Sequence, residues 1–423
     1  MDFNDSPVEA EFRAEVRAWF DQHAVAKTEA NQALSALQGL DDRPDAISRA
    51  KAWQRKLAEA GWAALTWPTE YGGRGAGPLE AIVFGEELAR YDVPVQHFSI
   101  GLGMIGPTII AHGSDAQRQR YLRPMLRGDE IWCQLWSEPD AGSDLAAIRA
   151  RAERHDDVFV INGQKVWTSG AHYCDFGLGV FRTDLDVPKH RGISTIVVPM
   201  STPGITVRPL RQINGKSHFN EVFFNDVRVP VDGLLGDLND GWRVTRTMMM
   251  NERLSVAAVF SVGNVMASLF ALAHRTEREG APASENPVIR QRLARAYTLA
   301  RLFDLTTARV RTGLARDTIP GPEVSVLKLF AALVGTEFTE TGMAVLGTAG
   351  GLWDDSAPEH GRWADALIES FAMHIAGGTD EIQRNIIGET VLGLPRDSNP
   401  ERDIPFRDLQ RGVATKIDRF TYT

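Results

Sequence analysis

A chain of 423 residues, 43% hydrophobic and 24% charged, can bury a core large enough for two or three domains and lacks the composition of a disordered protein. Its formal net charge of -9 argues against nonspecific binding to nucleic acid, so an anionic ligand would need local basic groups. The cysteines Cys133 and Cys174 supply neither a disulfide framework nor a zinc spacing and fit a reducing, cytoplasmic compartment; Asp2, Asp5 and Glu9 stand where a signal peptide would be basic.

Ser6-Pro7-Val8-Glu9 spells a capping box with proline at the first helical position, and Val8, Phe12, Val16, Trp19 and Phe20 recur at helical spacing. After a more polar, irregular stretch, Ala50, Trp53, Leu57 and Ala60 resume a helical stripe that Gly61 ends. Trp67-Pro68 and Tyr71-Gly72-Gly73-Arg74-Gly75 make a glycine-dependent loop. Two helices are predicted over 79–90 and 98–112, and a second capping box, Ser114-Asp115-Ala116-Gln117, opens a short helix closed by Gly128. Residues 1–130 therefore read as a helical domain.

From Ile131 the apolar residues come in strand-length runs, as in Val158-Phe159-Val160-Ile161, Ile193 to Val198 and Glu221-Val222-Phe223-Phe224. Asn162-Gly163 and Pro203-Gly204 are expected to turn between strands. A β-domain over 131–235 follows, of the size of a barrel or sandwich.

Helices return over 236–395, beginning with the stretch Gly241 to Gly280 around which the chain is organised. It carries no charge from Leu254 to Ala273, which predicts one long helix, apolar on nearly every face and therefore buried. The run is long enough to cross a bilayer of ~30 Å. Ser261, Gly263, Asn264 and Ser268 interrupt it and no second span follows, so a core helix is expected rather than a membrane span. Just ahead of it Glu252 precedes Arg253, either as a solvated helix shoulder or as a catalytic base tuned by desolvation and by its neighbour. Asn286-Pro287 caps a helix to about Gly313, another runs from Gly321-Pro322 to Leu346, and Gly347 to Gly351 breaks the chain. Thr379 caps a last helix whose first turn is Asp380-Glu381 and whose free amides face whatever binds before them; Pro395 closes it. The tail 396–423 is polar, expected to wrap a neighbour or to lack structure.

Three segments hold more glycine, hydroxyl and tryptophan than turns require: Gln134 to Asp144 (QLWSEPDAGSD), Asn162 to Gly170 (NGQKVWTSG), and Gly377-Gly378-Thr379. Indoles beside hydroxyls suit a flat aromatic ligand with polar edges. Each segment alone is a weak signal. In this order, together with NEVFFNDVRVP, the Gly241-Trp242 start of the long helix and the AGGTDEIQRNIIGE ending, they resemble the acyl-CoA dehydrogenase family from about residue 7 to 395.

The resemblance implies an α+β multidomain fold: an N-terminal helical domain, a central β-barrel-like domain and a C-terminal four-helix bundle. FAD would lie between the β-domain and the bundle, usually in a homotetramer. It implies flavin and substrate contacts for Leu135, Trp136, Ser137 and Ser143, flavin contacts for Trp167, Thr168 and Ser169, and cofactor contacts for Thr379 and Glu381. The activity implied is α,β-dehydrogenation of an acyl-CoA thioester, with electrons passed to an electron-transfer flavoprotein or similar acceptor. Such a reaction needs a base for the α-proton, a hydride acceptor on the opposite face, and donors to the thioester carbonyl.

Many members place the base just before the Gly-Thr of the last motif, where this chain has Gly377. Isovaleryl-CoA and long-chain types instead place it on the long helix, at the position of Glu252. Arg253 then matches an arginine near the substrate, and the Gly377 amide remains as a carbonyl donor. The family's Arg-x-x-Phe-Gly, which holds a neighbour's FAD pyrophosphate, is altered: Thr276 and Glu279 stand where arginine and phenylalanine belong, leaving Arg275 or Arg278 as substitutes. Leu346 likewise precedes Gly347 where many members have glutamine before a glycine pair. Two alternatives stand beside the dehydrogenase: a noncatalytic or half-site subunit of a mixed tetramer or dimer, and a flavin oxidase or monooxygenase on the same fold. The length or branching of the acyl chain is not legible.

Overall fold

The structure, a computed structural model, describes residues 5–27, 43–259, 262–314, 324–353, 356–396 and 400–409, with only the backbone over 253–259 and 262–264 and at 311 and 314. The first capping box forms as spelled. In α1 (Pro7–His23) the Ser6 hydroxyl accepts from the Glu9 amide at 3.3 Å, and the Glu9 carboxylate accepts from the Ser6 amide at 2.8 Å. Val16 and Phe20 are buried, but Val8 is 73% exposed on the first helical turn. Then come α2 (Pro44–Glu59) and α3 (Pro78–Leu88). The helix expected over 98–112 divides into a π-helical turn (Gly101–Ile105) and α4 (Gly106–His112). The change of register falls just before Pro107, which has no N–H to continue the ladder. The second capping box opens α5 (Asp115–Arg127), which ends at Gly128 in the left-handed region. A two-residue pairing of β1 (Val25–Ala26) with β2 (Tyr91–Asp92) had no counterpart in the sequence pattern.

The central domain is one eight-stranded sheet: β3 (Trp132–Leu135), β4 (Arg151–His155), β5 (Val158–Ser169), β6 (Phe176–Arg182), β7 (Ile193–Pro199), β8 (Ile205–Leu210), β9 (Phe219–Pro230) and β10 (Leu234–Leu235). Their order is β10-β7-β6-β4-β5-β9-β8, with β3 parallel to β6. The sheet does not close, since no described pairing joins β10 to β8; it is barrel-like in size rather than a barrel.

One expected turn is not one. Asn162-Gly163 lies inside β5, where the pairing with β9 slips between Ile161 and Gly163. A Cβ on Gly163 would meet Ala150 Cα at 2.6 Å, so the glycine serves close approach of two backbones, not chain reversal. The reversal is made earlier, between His155 and Val158, where Asp156 takes a φ of 51°.

The C-terminal domain is helical: α6 (Gly241–Val259), α7 (Val262–Arg275), α8 (Pro287–Leu314), α9 (Val324–Leu346), α10 (Arg362–Ser370) and α11 (Asp380–Ile386), which continues as a π-helical turn to Val391. The long helix of the sequence is helical on both sides of residues 260 and 261, which lie outside the described residues. It stops at Arg275 instead of reaching Gly280, because β11 (Glu277–Arg278) turns back through Glu279 and Gly280 onto β12 (Ala281–Pro282). Nor is α7 buried all round: Val265, Met266, Leu269, Leu272 and Ala273 are inside, while Phe270 is 36% exposed in the single chain.

The α6 segment holds the domains together. It packs on α3, the π-helical turn and α4 of the first domain, on β7 of the sheet, and on α9 of its own domain. Its first residue must be small, because a Cβ on Gly241 would meet Ser194 Cα at 2.6 Å. One core joins the N-terminal helices to one face of the sheet and to Val244 and Met248 of α6; a second fills the other face, and a third lies among α7 to α10. Among the described residues one helix, running from Val324 with the turn that follows it to Gly351, is apolar and long enough to cross a membrane. It packs against α6, α7, α8, α10 and α11, the contacts of a core helix. Part of the tail differs from expectation: residues 400–409 lie on the chain's own middle domain, where Phe406 is buried, while 397–399 and 410–423 lie outside the described residues.

Candidate active site

The first two signature segments are joined by direct bonds. The first runs out of β3 with Leu135 and Trp136 buried, and the second occupies the end of β5. The Val166 amide donates to the Ser137 carbonyl at 2.9 Å, and the Lys165 ammonium donates to the Trp136 carbonyl and to Glu138 Oε1, both at 2.9 Å. Glu138 also accepts from the Arg149 amide at 2.6 Å and the Ala150 amide at 2.9 Å. The pair lies inside the protein, with the Lys165 side chain fully buried and that of Glu138 8% exposed. Burial pulls the Lys165 pKa down and the Glu138 carboxylate pulls it back up. Both residues fell within the quoted segments, yet nothing local marked them as a pair.

A second bulge in β5 shapes this surface. Pairing with β9 slips between Lys165 and Thr168, so strict alternation fails. Lys165 turns inward while Trp167, two residues on, is 61% exposed with its edge on Phe219. Trp167 sits at a φ of 60°, a conformation that costs a non-glycine residue roughly 1–2 kcal/mol. The strain presents an indole face to whatever covers it. Thr168 is buried with no hydrogen-bond partner for its hydroxyl among the described residues, and the indole N–H of Trp136 is likewise unsatisfied. Ser169 is half-buried and Ser143 exposed. A bare indole next to a buried hydroxyl with no described partner fits a flat ligand with polar edges, such as an isoalloxazine ring.

The third segment meets the long helix. Gly377 and Gly378 take φ of 66° and 87°, consecutive left-handed residues that only glycines adopt without strain. Their amides donate to no chain group among the described residues. A Cβ on Gly377 would lie 3.4 Å from Glu252 Oε1, so the Glu252 carboxylate rests directly against this turn. Glu252 is half-buried, on α6 of the C-terminal domain. Thr379 caps α11 by accepting from the Ile382 amide at 3.3 Å, and Glu381 is exposed beside Arg384. The Arg253 side chain lies outside the described residues.

The turn is held from below by groups that sequence reasoning missed. The Lys328 ammonium donates to the Gly378 carbonyl at 2.6 Å, and Gln383 donates to the Gly377 carbonyl at 2.8 Å. Burial lowers the Lys328 pKa, opposed by Asp380 and Glu252. His374 joins Asp380 at 2.7 Å and Thr336 at 2.9 Å. The one available signal was Lys328 itself, a charge inside the apolar run Val324 to Gly335.

The site residues thus form two clusters, one on β3 and β5 and one where α6 meets the Gly377 turn, with no hydrogen bond between them among the described residues. Ser143 lies on the loop after β3, and the two arginines lie elsewhere. Arg275 is ion-paired with Glu359, and Arg278 donates to the Ala344 carbonyl at 2.8 Å. Both are thus already bonded within the chain, each through part of its guanidinium.

Three family models match the chain: the acyl-CoA dehydrogenase N-terminal domain over residues 6–129, the middle domain over 133–227 and the C-terminal domain over 239–392. Acyl-CoA dehydrogenase IpdE1 of Mycobacterium tuberculosis (strain ATCC 25618 / H37Rv) is 39% identical over 392 residues, 92% of this chain and 98% of that one. FadE34 of the same strain, an acyl-CoA dehydrogenase, is 40% identical over 343 residues, 81% of this chain but 46% of its own length. Among solved structures, the Tcur3481-Tcur3483 steroid ACAD superposes with a TM-score of 0.79 at 28% identity, covering 94% of this chain and 100% of that one. The ChsE4-ChsE5 complex from Mycobacterium tuberculosis gives 0.77 at 30% identity, with the same coverage.

Proposed function

This chain belongs to the acyl-CoA dehydrogenase family of FAD-dependent oxidoreductases, and from that premise we propose that it dehydrogenates an acyl-CoA thioester to the trans-2-enoyl-CoA with Glu252 as the base. The observation that carries the reading is the Glu252 carboxylate lying against the Gly377 turn. With the thioester carbonyl at the Gly377 amide, its acidified α-carbon lies within reach of that carboxylate, and the amide stabilises the charge that develops on the carbonyl oxygen. FAD, when bound, supplies the acceptor for the β-hydride. Leu135, Trp136, Ser137, Trp167, Thr168 and Ser169 would hold its ring system, with Thr379 and Glu381 at the start of α11; Ser143 and Arg253 would meet the substrate.

The solved structure named a steroid ACAD supports a bulky, polycyclic acyl group as the first substrate class to try. Anaerobic mixing of the FAD-loaded protein with linear, branched and steroid side-chain acyl-CoA thioesters tests the reading. Bleaching of the oxidised flavin band by at least one of them is expected, and bleaching by none would end it. An electron-transfer flavoprotein is the acceptor to supply for turnover.

A second reading has its own support. The two solved relatives are two-component assemblies, and Arg275 and Arg278 are both engaged within this chain. The functional unit would then pair this chain with a paralogue, as a heterotetramer in place of a homotetramer. Co-expression that yields a mixed tetramer with fewer than one FAD per chain supports that arrangement, whereas a homotetramer with one FAD per chain excludes it.

Thr168 provides a separable check on the cofactor site. Thr168→Val removes a buried hydroxyl that has no partner among the described residues, so the apoprotein should melt no lower than wild type. FAD should bind about fivefold more weakly, the loss of one hydrogen bond of about 1 kcal/mol. Flavin fluorescence titration and a thermal melt of the apoprotein read the two signs independently.

A further inference from the structure

The segment 400–409 lies beyond the last residue matched by the family models, and it docks where the middle domain meets the first signature loop. The Phe406 amide donates to the Val187 carbonyl at 2.9 Å and the Arg407 amide to the Leu185 carbonyl at 3.0 Å, with Pro405 opposite Pro188. Arg407 is ion-paired with Asp186. These contacts fasten a strap across the β6–β7 connection, residues 183–192.

Beneath the strap lies Arg182. The Phe406 ring, 8% exposed, covers its guanidinium with 3.8 Å between the guanidinium carbon and the ring centroid. Arg182 is 2% exposed and donates to the Lys189 carbonyl at 2.7 Å, to the Ala146 carbonyl at 2.5 Å and to the Ile148 carbonyl at 3.4 Å. One buried cation therefore ties the β6–β7 connection to 146–148, the return limb of the signature loop. Lys189 makes the same tie from outside, through its ammonium to Asp144 at 2.6 Å. Asp144 follows Ser143.

We propose that residues 400–409 are a clamp on the substrate loop, and that Phe406 is a positioning residue acting through Arg182 and Lys189 to set the loop that carries Ser143. Removing the ring opens the Arg182 guanidinium to water, which competes for the three carbonyls it holds. The loop end bearing Ser143 and Asp144 then loses its fixed position, while the Glu252 and Trp167 clusters keep theirs. The proposal rests on the reading of Ser143 as a substrate contact, so substrate affinity should change and chemistry should not.

The experiment compares wild type, Phe406→Ala, Phe406→Tyr and Lys189→Met as FAD-loaded full-length proteins. Phe406→Ala and Lys189→Met should raise KM for the best bleaching acyl-CoA about tenfold with kcat within about twofold, and Phe406→Tyr, which keeps a ring over Arg182, should behave as wild type. Hydrogen exchange of the substrate-free proteins should speed up over 143–150 and 185–192 in Phe406→Ala and be unchanged over 250–252 and 376–380. An unchanged KM, a matching fall in kcat and flavin content, or unchanged exchange over 143–150 would overturn the clamp. If no acyl-CoA reduces the wild-type flavin, the dehydrogenase reading fails by itself, and the exchange comparison still decides whether the strap holds the loop.

Discussion

Glu252→Gln should abolish reduction of the bound flavin by acyl-CoA while leaving the protein folded and yellow. The carboxamide fills the same space against Gly377, so the protein should keep its FAD, while loss of the charge that faces Lys328 should lower the melting temperature only slightly. What it cannot do is take the α-proton. A positioned general base contributes about 10²–10⁴-fold, so the reduction rate should fall by that factor, a barrier increase of roughly 3–5 kcal/mol. Anaerobic stopped-flow absorbance with the best substrate of the panel measures it. Reduction at the wild-type rate would remove Glu252 from the mechanism and leave it a structural carboxylate against the Gly377 turn.

The second large effect is on stability. Lys165→Met should cost about 3–5 kcal/mol, because it leaves the Glu138 carboxylate buried without its counter-charge. The two amides that Glu138 accepts from would remain, but they do not neutralise it. The Trp136 carbonyl would also lose its donor, so the first signature loop should loosen and the protein should retain less FAD. A double variant, Glu138→Gln with Lys165→Met, should recover part of the lost stability, since no unpaired charge is then left inside. Denaturant melts of the two single variants and the double variant form the cycle. Additive losses would mean that the two residues do not act as a pair.

The local features of the chain were legible because they are written over a few residues. The capping boxes at Ser6 and Ser114, the Asn286 and Thr379 caps and the glycine stops at Gly61 and Gly128 form as spelled. Errors arose where a local signal had a longer-range cause. Asn162-Gly163 carries a turn signature, but Gly163 is small because Ala150 approaches it. The helix expected over 98–112 does form, with a π-helical turn ahead of Pro107 that periodicity does not show.

The sequence by itself determined the family, the three-part order of helices, strands and helices, and the segments from which a site would be built, since short-range backbone preferences and ordered motifs suffice for these. Only the tertiary structure decided that Lys165 reaches across to Glu138, that Lys328 supports the Gly377 turn, that Glu252 lies against that turn, and that the tail returns to cover Arg182. The reason is physical. A buried charge is stable only beside its counter-charge or hydrogen-bond partners, and which distant segment supplies them depends on how the helices and the sheet pack.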